Sequence, residues 1–273
     1  MSRLPKSLVL VGAGKMGGAM LRGWLKLGLA ANAVAVIDPW AGDDMKALCA
    51  GNNVRLNPPP AAVANPDVLV LAIKPQSLAD AASGIAGMAG PGTLVLSIMA
   101  GKTIADIAAR LPAVRSFVRA MPNTPAAVGR GITGAVANAA VSAAQREMAH
   151  ALLAAIGGVE WVPDEGLIDA VTAVSGSGPA YVFYVVECLA EAGVAAGLPP
   201  DIALRLARAT VEGSGELLHS DPSTPADQLR KNVTSPGGTT AAALDVLMAP
   251  DGLAPLMRRA IAAAKQRARD LSG

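Results

Sequence analysis

LVLVGAGKMG, residues 8–17, is the stretch that decides the fold of this chain. Leu8–Val11 is a continuous apolar run, which is typical of a strand buried on both faces of a sheet. The run leads into Gly12-x-Gly14-x-x-Gly17, and the helical spacing of apolar residues begins at Met16. A strand, a glycine loop and a helix in this order predict the first βα unit of a doubly wound, Rossmann-type sheet.

The glycine loop is predicted to bind a dinucleotide. Its first glycine permits a tight turn, its second lets backbone N–H groups reach a pyrophosphate, and its third lets the helix pack closely on the strand. The predicted cofactor-binding residues of the loop are Gly12, Gly14, Lys15, Met16 and Gly17. The alternative is a glycine turn that binds no ligand.

Short β-rich runs alternate with helical segments as far as about residue 162, which predicts a mostly parallel sheet with right-handed crossovers. The predicted strands are 8–11, 33–37, 54–56, 68–73, 94–98, 114–119 and 132–136. The predicted helices are 16–27, 43–50, 77–88, 104–110 and 142–156, the last of which follows the final predicted strand. This pattern predicts an α/β dinucleotide-binding domain over residues 1–163.

Residues 164–273 contain no convincing strand and predict an all-helical domain. The predicted helices are 167–174, 180–196, 200–219, 224–232, 240–247 and 253–271. The helix at 180–196 is apolar most of the way round and carries charge only at Glu187 and Glu191. Such a helix is buried on most sides, so we expect a second copy of the chain to cover it, as in a homodimer.

Composition excludes several classes of function. A net charge of +2 offers no electrostatic footprint for nucleic acid. The uncharged stretch 81–101 is broken by four glycines and a proline, so it predicts a helix, a turn and a strand rather than a membrane span. Cys49 and Cys188 have no metal-ligand spacing and are interpreted as small buried thiols. The N-terminal residues run directly into a strand without a signal sequence, so we expect a cytoplasmic enzyme without a metal site.

The end of the second strand bears on the choice of cofactor. Asp38 can accept hydrogen bonds from a ribose 2′-hydroxyl and would repel a 2′-phosphate, so it favours NAD over NADP. The alternative is an aspartate that only forms the turn before Pro39. Lys74 follows the strand at 68–73, where a phosphate or ribose is expected; a solvated loop lysine is the other interpretation.

A second glycine-rich stretch, Ser235-Pro236-Gly237-Gly238-Thr239-Thr240, comes just before a helical pattern. Free N–H groups at a helix N-terminus attract anions, and glycine lets a ligand approach the backbone. A dinucleotide loop and a separate small-anion loop together predict a redox enzyme that acts on a substrate bearing a carboxylate. Asn123, at the end of the strand at 114–119, is a candidate donor to the nicotinamide or the substrate.

These motifs together resemble the Δ1-pyrroline-5-carboxylate reductase family. The resemblance covers nearly the whole chain, and its last two motifs are specific for the family. The motifs, in chain order, are 12–17 (GAGKMG), 72–76 (AIKPQ), 121–125 (MPNTP), 175–181 (SGSGPAY) and 233–240 (VTSPGGTT).

The resemblance implies reduction of (S)-1-pyrroline-5-carboxylate to L-proline by NADPH or NADH, the last step of proline biosynthesis. It also implies a helical dimerisation domain, dimers that often assemble into decamers, and a substrate site near the dimer interface. The family's substrate loop corresponds to Ser235–Thr240. There Ser235 and the amides at Gly238 and Thr239, next to Gly237, would hold the carboxylate, and the catalytic Thr240 hydroxyl would face the ring nitrogen. The family's cofactor motifs include Ala72, Lys74 and Pro75.

Asp38 departs from the family pattern, because many members have a small polar or basic residue there and prefer NADPH. The alternatives to this function are a related imine or hydroxyacid reductase and a non-catalytic nucleotide-binding sensor. The helix at 180–196 has no lysine, which argues against the 3-hydroxyacid dehydrogenases. His150 and His219 lie in helical segments and are given structural roles.

Overall fold

The computed structural model describes residues 4–271 and divides the chain into two compact units. The first unit contains the chain up to Gly176 and the segment from Ala264 onward, and the second runs from Ser177 to Ala263. The units therefore separate later in the chain than the expected domain boundary at residue 163. The residues in between pack on the sheet: a Cβ placed on Gly134 would lie 2.5 Å from the side chain of Val171.

Within the described residues, eight strands form one sheet in the order β3-β2-β1-β4-β5-β6-β7-β8. Their bounds are β1 (Leu8–Val11), β2 (Val34–Ile37), β3 (Arg55–Leu56), β4 (Val68–Leu71), β5 (Leu94–Ser97), β6 (Ser116–Met121), β7 (Gly131–Ala137) and β8 (Gly157–Trp161). Neighbouring strands are parallel, except that β6 and β7 are antiparallel. This arrangement confirms the predicted mostly parallel, doubly wound sheet.

The central strands are buried because helices cover both faces of the sheet. Every residue of β1 and β4 is buried, as their uninterrupted apolar sequences require. One hydrophobic cluster, which includes Trp24, lies on one face, and a second, which includes Phe117, lies on the other. Alternate residues of β1, such as Leu8 and Val9, belong to opposite clusters, as the two-residue period of a strand dictates.

The helices of the first unit follow the predicted order. Their bounds are α1 (Lys15–Lys26), α2 (Asp43–Asn52), α3 (Leu78–Ile85), α4 (Ile104–Ala108), α5 (Ala143–Ala154) and α6 (Ile168–Val171). The helix predicted at 167–174 is not regular. It consists of a 3₁₀ turn at Glu165–Leu167, the short α6 and a π turn at Thr172–Gly176.

The strand β8 was not predicted from the sequence. It begins with two glycines and alternates between half-buried and exposed residues, so it lacks the apolar run that marks the inner strands. Gly157 has a φ of +144°, and a Cβ there would collide with the backbone of Gly131 in β7. Glycine is therefore required at position 157 for β8 to approach β7. Because β8 begins with two glycines, it lacks the apolar pattern that predicts a strand.

The second unit is helical, as predicted, and among its described residues it contains no strand. Its helices are α7 (Gly178–Ala195), α8 (Pro200–Ser220), α9 (Ala226–Asn232), α10 (Thr239–Leu247) and α11 (Leu253–Asp270), the last of which continues into the segment grouped with the first unit. In the part of the chain that the structure describes, no helix is both long and apolar enough to cross a lipid bilayer.

Helix α7 packs against α8 on one side, since a Cβ on Gly193 would lie 3.2 Å from Ala203 Cβ, but the rest of its surface is uncovered in the single chain. None of its residues, all of which are described, is buried, and Phe183 and Tyr184 are exposed. Cys188 lies on this helix and is exposed, so its interpretation as a buried thiol was wrong for the isolated chain. Cys49 is buried as expected, and its burial raises the pKa of the thiol.

Candidate functional site

The first glycine of the loop makes the turn that the sequence motif requires. Gly12 has a φ of +87°, a conformation that L side chains rarely adopt. Its N–H donates to the carbonyl oxygen of Ile37 at 2.9 Å, and a Cβ on Gly12 would lie 2.7 Å from the carbonyl oxygen of Ala72. The loop is therefore wedged between the ends of β2 and β4, and only glycine fits.

The second and third glycines have opposite surroundings. A Cβ on Gly14 would meet no atom within 4 Å, so the backbone faces open space at the start of α1. A Cβ on Gly17 would collide with the carbonyl oxygen of Gly12. An open backbone at a helix N-terminus, closely packed behind, fits the pyrophosphate of a dinucleotide. Lys15 and Met16 are the first residues of α1, Lys15 exposed and Met16 half-buried.

Asp38 stabilises the glycine loop as well as its own turn. Its Oδ2 accepts a hydrogen bond from the N–H of Ala13 at 2.8 Å, and its Oδ1 accepts one from the N–H of Trp40 at 3.0 Å. Asp38 therefore does form the turn, and this structural role does not exclude a ligand. Each carboxylate oxygen can accept a second hydrogen bond, so Asp38 can still accept one from a ribose hydroxyl.

Asn57 holds Asp38 in place, and the sequence analysis did not identify it. The Oδ1 of Asn57 accepts from the N–H of Asp38 at 2.8 Å, and its Nδ2 donates to the carbonyl oxygen of Asp38 at 3.0 Å. Asn57 has a φ of +50°, which asparagine tolerates better than most residues. No sequence feature links the two residues, because β3 brings them together through its pairing with β2.

A cavity of about 550 Å³ opens beside Asp38, at the carboxyl ends of the parallel strands. This is the size of a small-molecule pocket, and strand ends are where doubly wound folds bind ligands. Its walls include Gly12, Trp40, Asn57 and Asp80. Among the described residues that line the cavity, Asp38 and Asp80 are acidic and none is a lysine or arginine.

The end of β4 supplies the other predicted cofactor residues. The N–H of Ala72 donates to the carbonyl oxygen of Val11 at 2.8 Å, and its Cβ lies 3.2 Å from the Cβ position of Gly17. Ala72 therefore forms the floor under the glycine loop. Lys74 is exposed just before the 3₁₀ turn Pro75–Ser77, which Pro75 begins. The structure thus brings Ala72 to the loop and leaves the Lys74 side chain in solvent.

Asn123 is buried after β6, and part of its hydrogen-bonding capacity is used within the protein. Its Oδ1 accepts a hydrogen bond from the N–H of Ile132 at 2.9 Å, which ties the loop to β7. The Nδ2 group is the part of this side chain that can donate to a ligand. Asn123 therefore both shapes the loop and offers a donor from it.

Arg119 forms a buried ion-pair cluster that the sequence analysis did not identify. Its side chain is 4% exposed, lies 3.1 Å from Glu165 Oε1 and lies 3.8 Å from Asp169 Oδ1. Glu165 also accepts from the N–H of Ile104 at 2.8 Å. Arg119 Nε is the one buried side-chain nitrogen or oxygen in residues 4–271 that has no hydrogen-bond partner. The cluster fastens residues 164–176 to the strand that leads to Asn123.

The small-anion loop forms a tight turn in the second unit. The N–H of Gly238 donates to the carbonyl oxygen of Ser235 at 3.0 Å, and Gly237 between them has a φ of +68°. This is the β-turn geometry that favours glycine at the third position. The expectation that the Gly238 amide is free to hold an anion was therefore wrong in this structure, because that donor closes the turn.

The free amides lie one step further along the chain. Helix α10 begins at Thr239, and its first internal hydrogen bond runs from the N–H of Ala242 to the carbonyl oxygen of Gly238. The N–H groups of Thr239 and Thr240 precede that bond and are unpaired within the helix. Ser235 is exposed and Thr240 is half-buried. The turn therefore presents the amides of Thr239 and Thr240 and the hydroxyls of Ser235 and Thr240 beside a backbone that Gly237 leaves uncovered.

Gly176, Ser175 and His150 have local packing and hydrogen-bonding roles. Gly176 packs beside Met121, since a Cβ there would lie 2.8 Å from Met121 Cε. Ser175 Oγ donates to the carbonyl oxygen of Val171 at 3.0 Å. His150 Nδ1 accepts from Trp161 Nε1 at 3.3 Å, which agrees with a structural role.

The chain is similar to proteins of known function along nearly its whole length. Residues 165–271 match the family model described as pyrroline-5-carboxylate reductase dimerisation, and residues 7–101 match that of the coenzyme F420-dependent NADP oxidoreductases. The chain is 41% identical over 269 residues to a pyrroline-5-carboxylate reductase of Pseudomonas aeruginosa, and the match covers 97% of this chain and 96% of that protein.

Two solved structures are similar along their whole length. A pyrroline-5-carboxylate reductase from Coxiella burnetii has a TM-score of 0.88 and 33% identity, with 98% of this chain and 99% of that chain covered. A pyrroline carboxylate reductase from Plasmodium falciparum, solved with NADP bound, has a TM-score of 0.77 and 26% identity, with 100% of both chains covered.

Proposed function

This chain belongs to the pyrroline-5-carboxylate reductase family and is an NAD(P)H-dependent oxidoreductase. On that basis, we propose which of its residues bind the cofactor, hold the substrate and orient it during the reduction of pyrroline-5-carboxylate to proline. The observation that carries the proposal is the turn at Ser235–Gly238, which leads into the unpaired amides of α10. A separate glycine loop at Gly12–Gly17 has the open helix N-terminus that a dinucleotide needs.

The substrate is a cyclic imine that carries a carboxylate. The N–H groups of Thr239 and Thr240 and the hydroxyl of Ser235 hold the carboxylate, with help from the partial positive charge at the start of α10. Gly237 and Gly238 contribute by leaving the backbone bare. The reduced nicotinamide supplies the hydride when it is bound. The Nδ2 group of Asn123 donates to the nicotinamide or to the substrate.

Thr240 is proposed to align the ring nitrogen with its hydroxyl. A hydroxyl is too weak an acid to be the source of the imine proton. The substrate reacts as the protonated imine, which is already electrophilic, so the Thr240 hydroxyl only has to orient it. Thr240→Ala is expected to lower kcat/KM by about 10- to 100-fold, the value of one hydrogen bond or slightly more. Steady-state kinetics with saturating cofactor measures this effect.

Thr239→Ala is the matched control, because Thr239 acts through its backbone amide and its side chain is exposed. We expect this variant to retain kcat/KM within about threefold, since alanine keeps the N–H group. Equal losses in the two variants would contradict the role of the Thr240 hydroxyl.

The cofactor preference is proposed to favour NADH. The cavity beside Asp38 has two carboxylates and no cation among the described residues that line it, so a 2′-phosphate would meet like charges there. Asp38→Asn is expected to raise the ratio of kcat/KM for NADPH to that for NADH by about tenfold, because the repulsion is removed. The ratio is measured with both cofactors at a fixed concentration of pyrroline-5-carboxylate.

Two further variants test the electrostatic explanation. Asp80→Asn removes the other charge of the cavity and is expected to change the ratio in the same direction by a smaller factor. Asp43→Asn removes an exposed charge that pairs with Lys46 outside the cavity, so the ratio is expected to stay unchanged. If Asp38→Asn left the ratio unchanged, the proposed preference would be wrong.

The chain oligomerises, and we propose that the smallest assembly is a homodimer in which α7 is covered by a second copy. The exposed apolar side chains of α7 have no cover in the single chain, and residues 165–271 match the family's dimerisation domain. Assembly into decamers and a cytoplasmic location stay predictions. Sedimentation velocity measures the assembly size.

The rival functions differ in the reaction that they catalyse, if any. Oxidation of NADH or NADPH is followed at 340 nm after the addition of pyrroline-5-carboxylate. In parallel, reduction of NAD or NADP is followed after the addition of a hydroxyacid. We expect turnover with the cyclic imine only. Turnover with the hydroxyacid alone would favour a hydroxyacid dehydrogenase, and binding of the cofactor without any turnover would favour a sensor.

A further inference from the structure

Trp40 stands out because it is the most exposed large apolar side chain in residues 4–271, at 93% exposure. The other two tryptophans pack within the protein. Trp24 is fully buried and donates to the carbonyl oxygen of Leu152, and Trp161 contacts His150 and Arg146. An indole exposed to water lacks the large favourable free energy that its burial would contribute. An exposed tryptophan at the wall of a cavity therefore suggests a ligand that covers it.

The backbone around Trp40 is held firmly although its side chain is free. The N–H of Trp40 donates to Asp38 Oδ1, and the N–H of Ala41 donates to the carbonyl oxygen of Asp38 at 3.2 Å. The ring of Pro39 fixes that residue's own φ angle, and Asn57 holds Asp38 from the neighbouring strand. The indole is thus anchored on a rigid turn, which reduces the entropy that a ligand must overcome to stack on it.

We propose that Trp40 stacks on the adenine of the dinucleotide and is a positioning residue for the cofactor. The inference rests on the proposed function, because Asp38 is assigned there to the ribose and Trp40 lies two residues further along the same cavity wall. Adenine suits this wall because it is flat and neutral, so it gains from stacking and is not repelled by Asp38 and Asp80. Stacking on an aromatic ring does not depend on the 2′ position.

Binding of 5′-AMP and of NADH to Trp40→Ala tests the proposal directly. We expect the Kd of each ligand, measured by isothermal titration calorimetry, to rise by roughly tenfold, within the range of base–aromatic stacking. Trp40→Phe is expected to restore most of the affinity because it keeps an aromatic face. The ratio of the Kd for NADPH to that for NADH is expected to stay constant, since both cofactors carry the same adenine.

Intrinsic fluorescence gives a second measurement that does not involve turnover. Addition of 5′-AMP is expected to quench the emission of the wild-type protein and of Trp161→Phe, which retains Trp40. The quenching is expected to disappear in Trp40→Phe. The KM for pyrroline-5-carboxylate at saturating NADH serves as a control and is expected to stay unchanged in all three Trp40 and Trp161 variants.

The outcomes separate this inference from the proposed function. If Trp40→Ala binds 5′-AMP and NADH with wild-type affinity, Trp40 does not stack on adenine, although the reductase activity stands. If the wild-type protein binds neither NADH nor NADPH, the proposed function fails first. Thermal denaturation of Trp40→Ala is expected to match wild type because the removed side chain packs on almost nothing, so a loss of affinity cannot be assigned to unfolding.

Discussion

Replacement of Arg119 by methionine is expected to lower the free energy of unfolding by about 3–5 kcal/mol, because it leaves two partly buried carboxylates without the guanidinium that neutralises them. Glu165 and Asp169 are 30% and 13% exposed, and each lies within 4 Å of the guanidinium. Without Arg119, Glu165 keeps its hydrogen bond from Ile104, and Asp169 keeps an ion pair at 3.9 Å with Arg269, whose side chain is 56% exposed. Urea unfolding at a fixed protein concentration measures the loss.

Arg205→Met is the matched control for this prediction. Arg205 pairs with Asp201 at 2.9 Å, but both side chains are about two-thirds exposed, at 69% and 67%. An exposed pair contributes only about 0–1 kcal/mol, so this variant is expected to unfold near the wild-type midpoint. The explanation from burial fails if the two variants lose the same amount of stability.

Gly17→Ala is expected to abolish dinucleotide binding and to destabilise the fold by about 1–3 kcal/mol or more. The added Cβ would collide with the carbonyl oxygen of Gly12, and backbone atoms cannot rotate away as a side chain can. Helix α1 would have to move off the loop, so the amides of the loop would lose their arrangement. Calorimetric titration with NADH and urea unfolding measure the two losses.

Gly14→Ala separates cofactor binding from packing. A Cβ there meets nothing within 4 Å, and its φ of −65° is compatible with alanine, so stability is expected to change by less than about 0.5 kcal/mol. The methyl group would nevertheless stand where a pyrophosphate approaches the backbone, and we expect NADH to bind roughly 10- to 100-fold more weakly. Unchanged affinity would show that the loop does not hold the pyrophosphate.

Much of the candidate site could be predicted because its signals are local. The apolar run of β1 and the three glycines after it depend on residues adjacent in sequence, and each glycine has the surroundings that its position in the motif requires. The turn at Ser235–Gly238 was identified in the same way. Of the two amides predicted to hold an anion, the Gly238 amide closes the turn in this structure, and the role of the Thr239 amide stays a prediction.

The rest depends on contacts between residues that are distant in sequence. Asn57 reaches Asp38 only because β3 pairs with β2, and Arg119 meets Glu165 only because the segment after β8 returns to the sheet. Cys188 was expected to be buried because its helix is apolar, yet a helical pattern does not state whether the covering surface belongs to the same chain.

The sequence by itself determined the order of the inner strands and of most helices, and it marked the two glycine-rich stretches, because periodicity, glycine and proline act within a few residues. Only the tertiary structure decided which donors are already used, which charges are buried together, and that Trp40 stands uncovered beside the Asp38 cavity. These properties depend on contacts between segments that are distant in sequence, and no local pattern of residues specifies those contacts.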